Sequence, residues 1–184
     1  MSMLSEQSKD SLERTFRRVA TTGLVRDPAH ACVIAADKGP RTGAQPGEKL
    51  VVITISSFTF RLLVIFHIGE SREMLEYFTG NEAGRRLEEV FYEISNMCCG
   101  ALNREMTRDF PHLAMSIPYT LGGACAAFLD ELRPQHVSTY AVTINETARL
   151  RVTLCLCCSA PVIFSAAAAE ATQAPEATGE LELF

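Results

Sequence analysis

The stretch VVITISSFTFRLLVIFHI, residues 51–68, decides the fold class of this chain. It holds two segments of alternating residues, 51–56 and 58–68, separated by a short turn. The apolar residues that share one face of the second segment are Phe58, Phe60, Leu62, Val64, Phe66 and Ile68. Because successive side chains of a strand point to opposite faces, this alternation predicts two strands with at least one buried face. Strands joined so closely form a hairpin, and therefore an antiparallel sheet.

Helical patterns surround this hairpin. Leu12, Phe16 and Val19 recur at helical spacing, and Ser71 is a suitable N-cap for a short helix. The predicted helices are residues 8–20, 71–78, 83–107 and 124–132, and a second strand pair is predicted at residues 137–144 and 150–158. The expected fold is α+β, with an antiparallel sheet packed against long helices.

The length of 184 residues suits one domain with a proper core. Glycine and proline residues between positions 36 and 49 predict a loop. From residue 165 the composition changes to Ala, Glu, Thr, Pro and Gly, with acidic residues and no basic ones. We therefore expect a single domain over residues 1–164 and a disordered acidic tail over residues 165–184.

Composition also limits the classes of function. No apolar run approaches the roughly 20 residues that a membrane-spanning helix needs, and the charged first 20 residues lack the apolar core of a signal peptide. The net charge is −5, with Lys and Arg scattered along the chain, which argues against a nucleic-acid partner. We expect a cytoplasmic protein that neither enters membranes nor binds nucleic acid.

The seven cysteines do not form a recognisable metal motif. Cys98 and Cys99 are adjacent, and Cys155, Cys157 and Cys158 lie in an apolar, strand-like stretch. Zinc sites use spacings such as C-x2-C with a second ligand pair elsewhere, and the four histidines are isolated. Because free cysteine is among the most buried residue types, we interpret these residues as structural and predict no metal site.

The long predicted helix carries the candidate functional residues. At about 100° per residue, Glu89, Glu93, Asn96 and Gly100 share one narrow stripe. Residues assigned to a separate, core-facing side are Leu87, Val90, Ile94, Met97, Cys98 and Ala101. A solvated helix face is the simplest interpretation of such a stripe. Asn and Gly, however, both disfavour helix interiors, Gly by about 1 kcal/mol relative to Ala, which suggests that the stripe serves a purpose other than helix stability.

These residues resemble the active-site signature of the CheC/CheX/FliY family of response-regulator phosphatases. The spacing Glu89-x3-Glu93-x2-Asn96, followed after 21 residues by Pro118, is similar to the family pattern of Asp or Ser, then Glu, Asn and Pro. EISNMCCG at residues 93–100 resembles E-x-x-N-M-x-x-G, and SIPYTLG at residues 116–122 resembles S-[IL]-P-T-V-x-x-G. Glu89 departs from the usual residue, and the single copy of the signature is closest to CheX.

The resemblance implies a CheC-like fold and an enzyme that dephosphorylates a CheY-like response regulator. Asn96 and Glu93 would be the catalytic residues, with Asn96 positioning the hydrolytic water and Glu93 pairing with a lysine of the partner. Glu89, Gly100 and Pro118 would contact the partner. The enzyme would need no cofactor of its own, because the response regulator supplies Mg2+. A homodimer is also implied, with joined sheet edges as one way to form it.

Two other classes of function remain open at this point. The same fold could serve as a non-catalytic module that binds a receiver domain or a flagellar or signalling complex, and the departure at Glu89 favours this reading. A metal, redox or Cys–His hydrolytic protein built on the cysteines has no supporting ligand spacing.

Overall fold

The computed structural model describes residues 3–39, 47–80, 82 and 84–165. Residues 40–46 of the predicted loop and the predicted tail beyond residue 165 lie outside this range. The helices are α1 (Glu6–Gly23), α2 (Arg72–Thr79), α3 (Leu87–Met106) and a 3-10 helix (Gly123–Leu132). The strands are β1 (Cys32–Ala36), β2 (Lys49–Ser56), β3 (Phe60–Ile68), β4 (Ala114–Met115), β5 (Tyr119–Gly122), β6 (His136–Ile144) and β7 (Ala148–Cys158).

The strands of the described residues form one antiparallel sheet in the order β1-β6-β7-β3-β2-β4, with β5 also paired to β2. The predicted hairpin lies inside this sheet, where Lys49 opposes Ile68 and Ser56 opposes Arg61. The predicted second strand pair is β6 and β7, which pair from His136 to the turn after Ile144. The α+β fold class is therefore confirmed. The three strands that sequence patterns missed, β1, β4 and β5, are short and mostly exposed.

Helices α1, α2 and α3 cover one face of the sheet and bury the main core with it. Rings from different elements meet there: the Phe16 and Tyr140 centroids are 5.2 Å apart, and those of Phe78 and Phe91 are 4.8 Å apart. The end of α1 packs closely on α3, because a Cβ added to Gly23 would lie 3.2 Å from Cys98 Cα. This packing fixes which side of α3 faces the core.

The 3-10 helix packs on part of the other face of the sheet. The segment was predicted as an α-helix over residues 124–132, but Gly123, Ala126 and Leu129 are its buried residues, three apart. A 3-10 helix has three residues per turn, so that spacing places all three on one side. Ala126 and Leu129 pack against Leu50 and Val52 of β2, and Gly123 lies against Glu48. The helix therefore lies where the sequence predicts one, but it is a 3-10 helix and not an α-helix.

Local signals in the sequence agree with the helix ends. The Ser71 Oγ accepts a hydrogen bond from the Met74 N–H at 3.2 Å, which is the predicted N-cap of α2. Gly80 ends the same helix in the left-handed conformation, at φ 64°. Within the described part of the chain, no helix has both the length and the apolar character required to cross a membrane.

Candidate functional site

Helix α3 presents opposite faces to the core and to solvent. Its buried residues are Leu87, Val90, Phe91, Ser95, Cys98, Cys99, Leu102 and Met106. On a wheel with Glu89 at zero, these residues centre near 200°. Glu89, Glu93 and Asn96 are exposed and Gly100 is half-buried, and the four centre near 10° on the same wheel. The predicted stripe is thus diametrically opposite to the core face.

One residue assigned to the core side from the sequence is not in the core. Met97 has 69% of its surface exposed. Phe91 and Leu102 are 0% and 1% exposed and belong to the buried face, although the sequence assignment did not include them. With these two residues, the centre of the buried face lies farther from the stripe than predicted. Met97 consequently lies at the margin of the stripe, where its thioether chain adds an apolar contact surface.

The polar side chains of the stripe make no hydrogen bond or ion pair within the part of the chain that the structure describes. Among the described residues, none forms a hydrogen bond or an ion pair with the side chains of Glu89, Glu93 or Asn96. Gly100 is not required by packing either, since an added Cβ would meet only Arg104 Nη1, at 3.7 Å. The stripe therefore offers another molecule two carboxylates, a carboxamide and a bare stretch of helix backbone. It extends over about 16 Å along the helix axis.

Pro118 lies in a bulge of the neighbouring edge strand. Met115 opposes Ile55 and Tyr119 opposes Val52, so residues 116–118 face only residues 53 and 54 of β2. A bulge with one extra residue accommodates proline, which has no N–H to donate to the ladder. The bulge also turns Ile117 outward, with 82% of its surface exposed.

A hydrogen-bond network joins α3 to the strand that follows Pro118. The Tyr92 hydroxyl donates to Glu88 Oε1 at 2.9 Å and lies 2.8 Å from Thr120 Oγ1. Lys49 Nζ donates to Glu88 Oε2 at 2.9 Å. The two parts of the sequence signature, the helix stripe and Pro118, are therefore held on adjoining elements.

The same contacts set the charge of Glu88. Hydrogen bonds from Lys49, and then from Thr120 and Tyr92, lower the pKa of the Glu88 carboxyl to about 2. Glu88 is therefore a permanent anion near neutral pH, engaged by its own chain, whereas Glu89 and Glu93 beside it face outward. Sequence reasoning did not identify Glu88, Tyr92 or Thr120. The available signal was the position of Tyr92 on the helical wheel, between the stripe and the core face.

The cysteines of α3 do not contribute to this surface. Burial raises the pKa of the Cys98 thiol to about 12, and burial also raises the pKa of Cys99. Both thiols point into the core, as the structural interpretation predicted. Among the described residues, no group of three or more His, Cys, Asp and Glu side chains is arranged to hold a metal ion.

No protein-family model and no curated protein sequence matches this chain. Its fold, however, matches solved structures. The CheX–CheY–BeF3–Mg2+ complex from Borrelia burgdorferi has a TM-score of 0.51 at 10% identity, covering 81% of this chain and 97% of that chain. CheX from Desulfovibrio desulfuricans has a TM-score of 0.50 at 13% identity, covering 83% and 99%. A CheC-like superfamily protein from Shewanella sp. PV-4 has a TM-score of 0.50 at 10% identity, covering 83% and 98%.

Each of these structures is matched over nearly its full length. At these identities the likeness concerns the fold. The resemblance drawn from residues 89–118 and the architecture built around them thus agree: this chain has the CheC-like fold of the CheX chemotaxis proteins.

Proposed function

We propose that this protein is an aspartyl-phosphate phosphatase that acts on a phosphorylated CheY-like response regulator. The supporting observation is the stripe of α3, where Glu93 and Asn96 are exposed, lie opposite the core and have no side-chain partner among the described residues. It is supported further by the fold, which is shared with a CheX solved in complex with CheY, BeF3 and Mg2+. The pathway would be chemotaxis or another two-component system.

Asn96 would place the attacking water. Hydrolysis of an acyl phosphate needs a water in line with the phosphorus and compensation of the charge on the phosphoryl oxygens. As the water oxygen bonds to phosphorus, the bond to the aspartate oxygen breaks, releasing the carboxylate and inorganic phosphate. A carboxamide offers one donor and one acceptor group without adding negative charge, whereas a carboxylate at position 96 would repel the phosphoryl group.

Glu93 would serve as an anchor. It lies one helical turn before Asn96, and its free carboxylate suits a cation of the partner, by resemblance the lysine in the receiver's phosphorylation site. Mg2+ would be held by the receiver, so this chain would add only the water position and the docking contacts. Gly100 would let the receiver approach the helix backbone, and Glu89, Pro118 and its bulge would border the contact.

The test is the decay of phosphorylated receiver domains. A panel of receivers from the host, each labelled with phosphate, is mixed with wild-type protein or with Asn96→Ala, and loss of label is followed over time. We expect wild-type protein to accelerate decay of at least one receiver and Asn96→Ala to lose that acceleration. Unchanged decay of every receiver in the presence of wild-type protein would contradict the enzymatic function.

A second candidate is a non-catalytic module that binds the receiver. It is favoured by one observation, the presence of Glu89 where the resembling enzymes have Asp or Ser. A pure binder would protect the phosphorylated aspartate or leave its lifetime unchanged. The same decay experiment, run with a parallel binding measurement, separates the two functions.

A further inference from the structure

Arg104 lies one turn beyond Gly100 on the solvent side of α3 and is exposed. Its Nη1 atom is 3.7 Å from the position that a Gly100 Cβ would occupy. Because side chains on a helix lean toward its N-terminus, the guanidinium reaches back along the stripe toward Asn96. A cation therefore lies over Gly100, the one residue of the stripe that has no side chain, on the same helix face as the Asn96 carboxamide.

This guanidinium is available for binding. Within the described ranges, Arg104 forms no hydrogen bond and no ion pair, whereas two other arginines nearby, Arg18 and Arg108, both pair with Glu105, at 2.9 and 3.3 Å. Its place in the last turn of α3 lets it complement the helix dipole, but any basic residue in that turn would do so. The dipole does not explain why the side chain extends over Gly100.

We propose that Arg104 is a further catalytic residue that binds the phosphoryl oxygens while Asn96 holds the water, an inference that rests on the proposed function. Gly100 is about 6 Å from Asn96 along the helix axis, a distance that the flexible arginine side chain can cover. As the water oxygen bonds to phosphorus and the aspartate carboxylate leaves with its electron pair, the equatorial phosphoryl oxygens carry the negative charge. A guanidinium donates two parallel hydrogen bonds to such oxygens and remains charged at any working pH.

The experiment is single-turnover dephosphorylation of a labelled receiver at saturating phosphatase. Wild-type protein is compared with Arg104→Met, Arg104→Lys and the control Arg108→Met, which removes the same charge near the same helix end. We expect Arg104→Met to lower the rate constant about 10- to 100-fold, since loss of one preorganised donor to transition-state charge has effects of about this size or larger. Arg104→Lys should recover part of the rate, and Arg108→Met should stay within about twofold of wild type.

A binding measurement accompanies the kinetics. Affinities for a receiver with and without beryllofluoride, a phosphoryl analogue, are measured for each variant. Arg104→Met should reduce the preference for the beryllofluoride form, whereas a helix-end role would shift only the melting temperature. An unchanged rate constant in Arg104→Met, or an equal loss in Arg108→Met, would overturn this inference alone. Wild-type protein that accelerates no receiver would overturn the proposed function and this inference with it.

Discussion

At the scale of single residues, Asn96 decides between an enzyme and a binder. Its carboxamide is exposed and lies at the edge of the stripe nearest the Tyr92 side of α3. We expect Asn96→Ala to lose at least about 100-fold in dephosphorylation rate, because a water held by a positioned amide is then free to leave the in-line geometry. Association with the receiver should change little, since removing an exposed amide takes away no buried contact. Stopped-flow decay and titration calorimetry measure the two quantities.

Asn96→Asp is the matched control for charge. It keeps the size of the side chain but places a carboxylate beside the phosphoryl group, so both rate and affinity should fall. Equal activity in Asn96→Asp and wild type would contradict the role of the amide. Activity in Asn96→Ala at the wild-type level would move the water-holding role to another residue.

Replacing Gly100 with alanine should raise the stability of the fold and weaken binding to the receiver. The ideal Cβ position at residue 100 meets only Arg104 Nη1, at 3.7 Å, so Gly100→Ala fits the chain without strain. Alanine is favoured over glycine within helices by about 1 kcal/mol, and we expect urea unfolding to show that gain. If the receiver approaches the bare backbone at this point, the same methyl group should weaken association. A variant that is more stable and binds equally well would remove Gly100 from the contact surface.

The residues of the site differ in how visible they are in the sequence. Glu89, Glu93, Asn96 and Gly100 follow from one helical period, which the structure preserves over the length of α3. The link from Glu88 and Tyr92 to Thr120 is not visible, because the Tyr92–Thr120 contact joins residues 28 positions apart. Thr120 also lies on a strand of four mostly exposed residues, which sequence patterns did not reveal. Periodicity finds a face of one element; it does not find which neighbouring element meets that face.

At the scale of secondary structure, Glu88 couples α3 to the sheet. Its carboxyl pKa is lowered to about 2, chiefly by the hydrogen bond from Lys49 on β2. A carboxyl with a lowered folded-state pKa stabilises the fold fully above its unfolded pKa, near 4.5, and loses that contribution as the pH falls toward about 2. The network should therefore contribute to stability at neutral pH and not at strongly acidic pH.

We expect Glu88→Gln to lower the free energy of unfolding at pH 6 to 7, with a difference from wild type that narrows as the pH falls from 4.5 to 2. Urea unfolding at a series of pH values measures this difference. Glu89→Gln is the control on the adjacent, outward-facing residue, and its difference from wild type should be small at every pH. A Glu88→Gln difference that stays constant across the series would contradict the hydrogen-bond origin of the lowered pKa.

At the scale of the whole molecule, the antiparallel sheet was predictable and its edges were not. Residues 51–68 are apolar at most positions because both faces of β2 and β3 are buried, one against three helices and the other in part against the 3-10 helix. Strand β1 has mostly exposed side chains, so it lacks a buried face to mark it, and its pairing with β6 spans more than 100 residues. Strands β4 and β5 are two and four residues long, below the length at which alternation can be read.

The two sheet edges differ in their capacity to join a second copy, which bears on the predicted homodimer. The β4–β5 edge is interrupted by the bulge at residues 116–118, and bulges protect an edge from pairing. Strand β1 is regular, and no described strand pairs with its outer side. We therefore expect any dimer formed by joined sheets to use the open edge of β1.

In β1 the backbone N–H and C=O groups of the odd-numbered residues point toward β6. Two hydrogen bonds at the ends of the strand show this: Ala31 O accepts from Asn145 N, and Asp37 N donates to Thr139 O. By alternation, the N–H of Ala36 points to the open edge and that of Ala35 points to β6. Ala36→Pro should convert a wild-type dimer into a monomer of retained fold, whereas Ala35→Pro should destabilise the fold by removing a ladder bond. Sedimentation velocity with circular dichroism distinguishes these outcomes. A wild-type monomer at tens of micromolar, or a dimer that persists in Ala36→Pro, would exclude β1 as the joining edge.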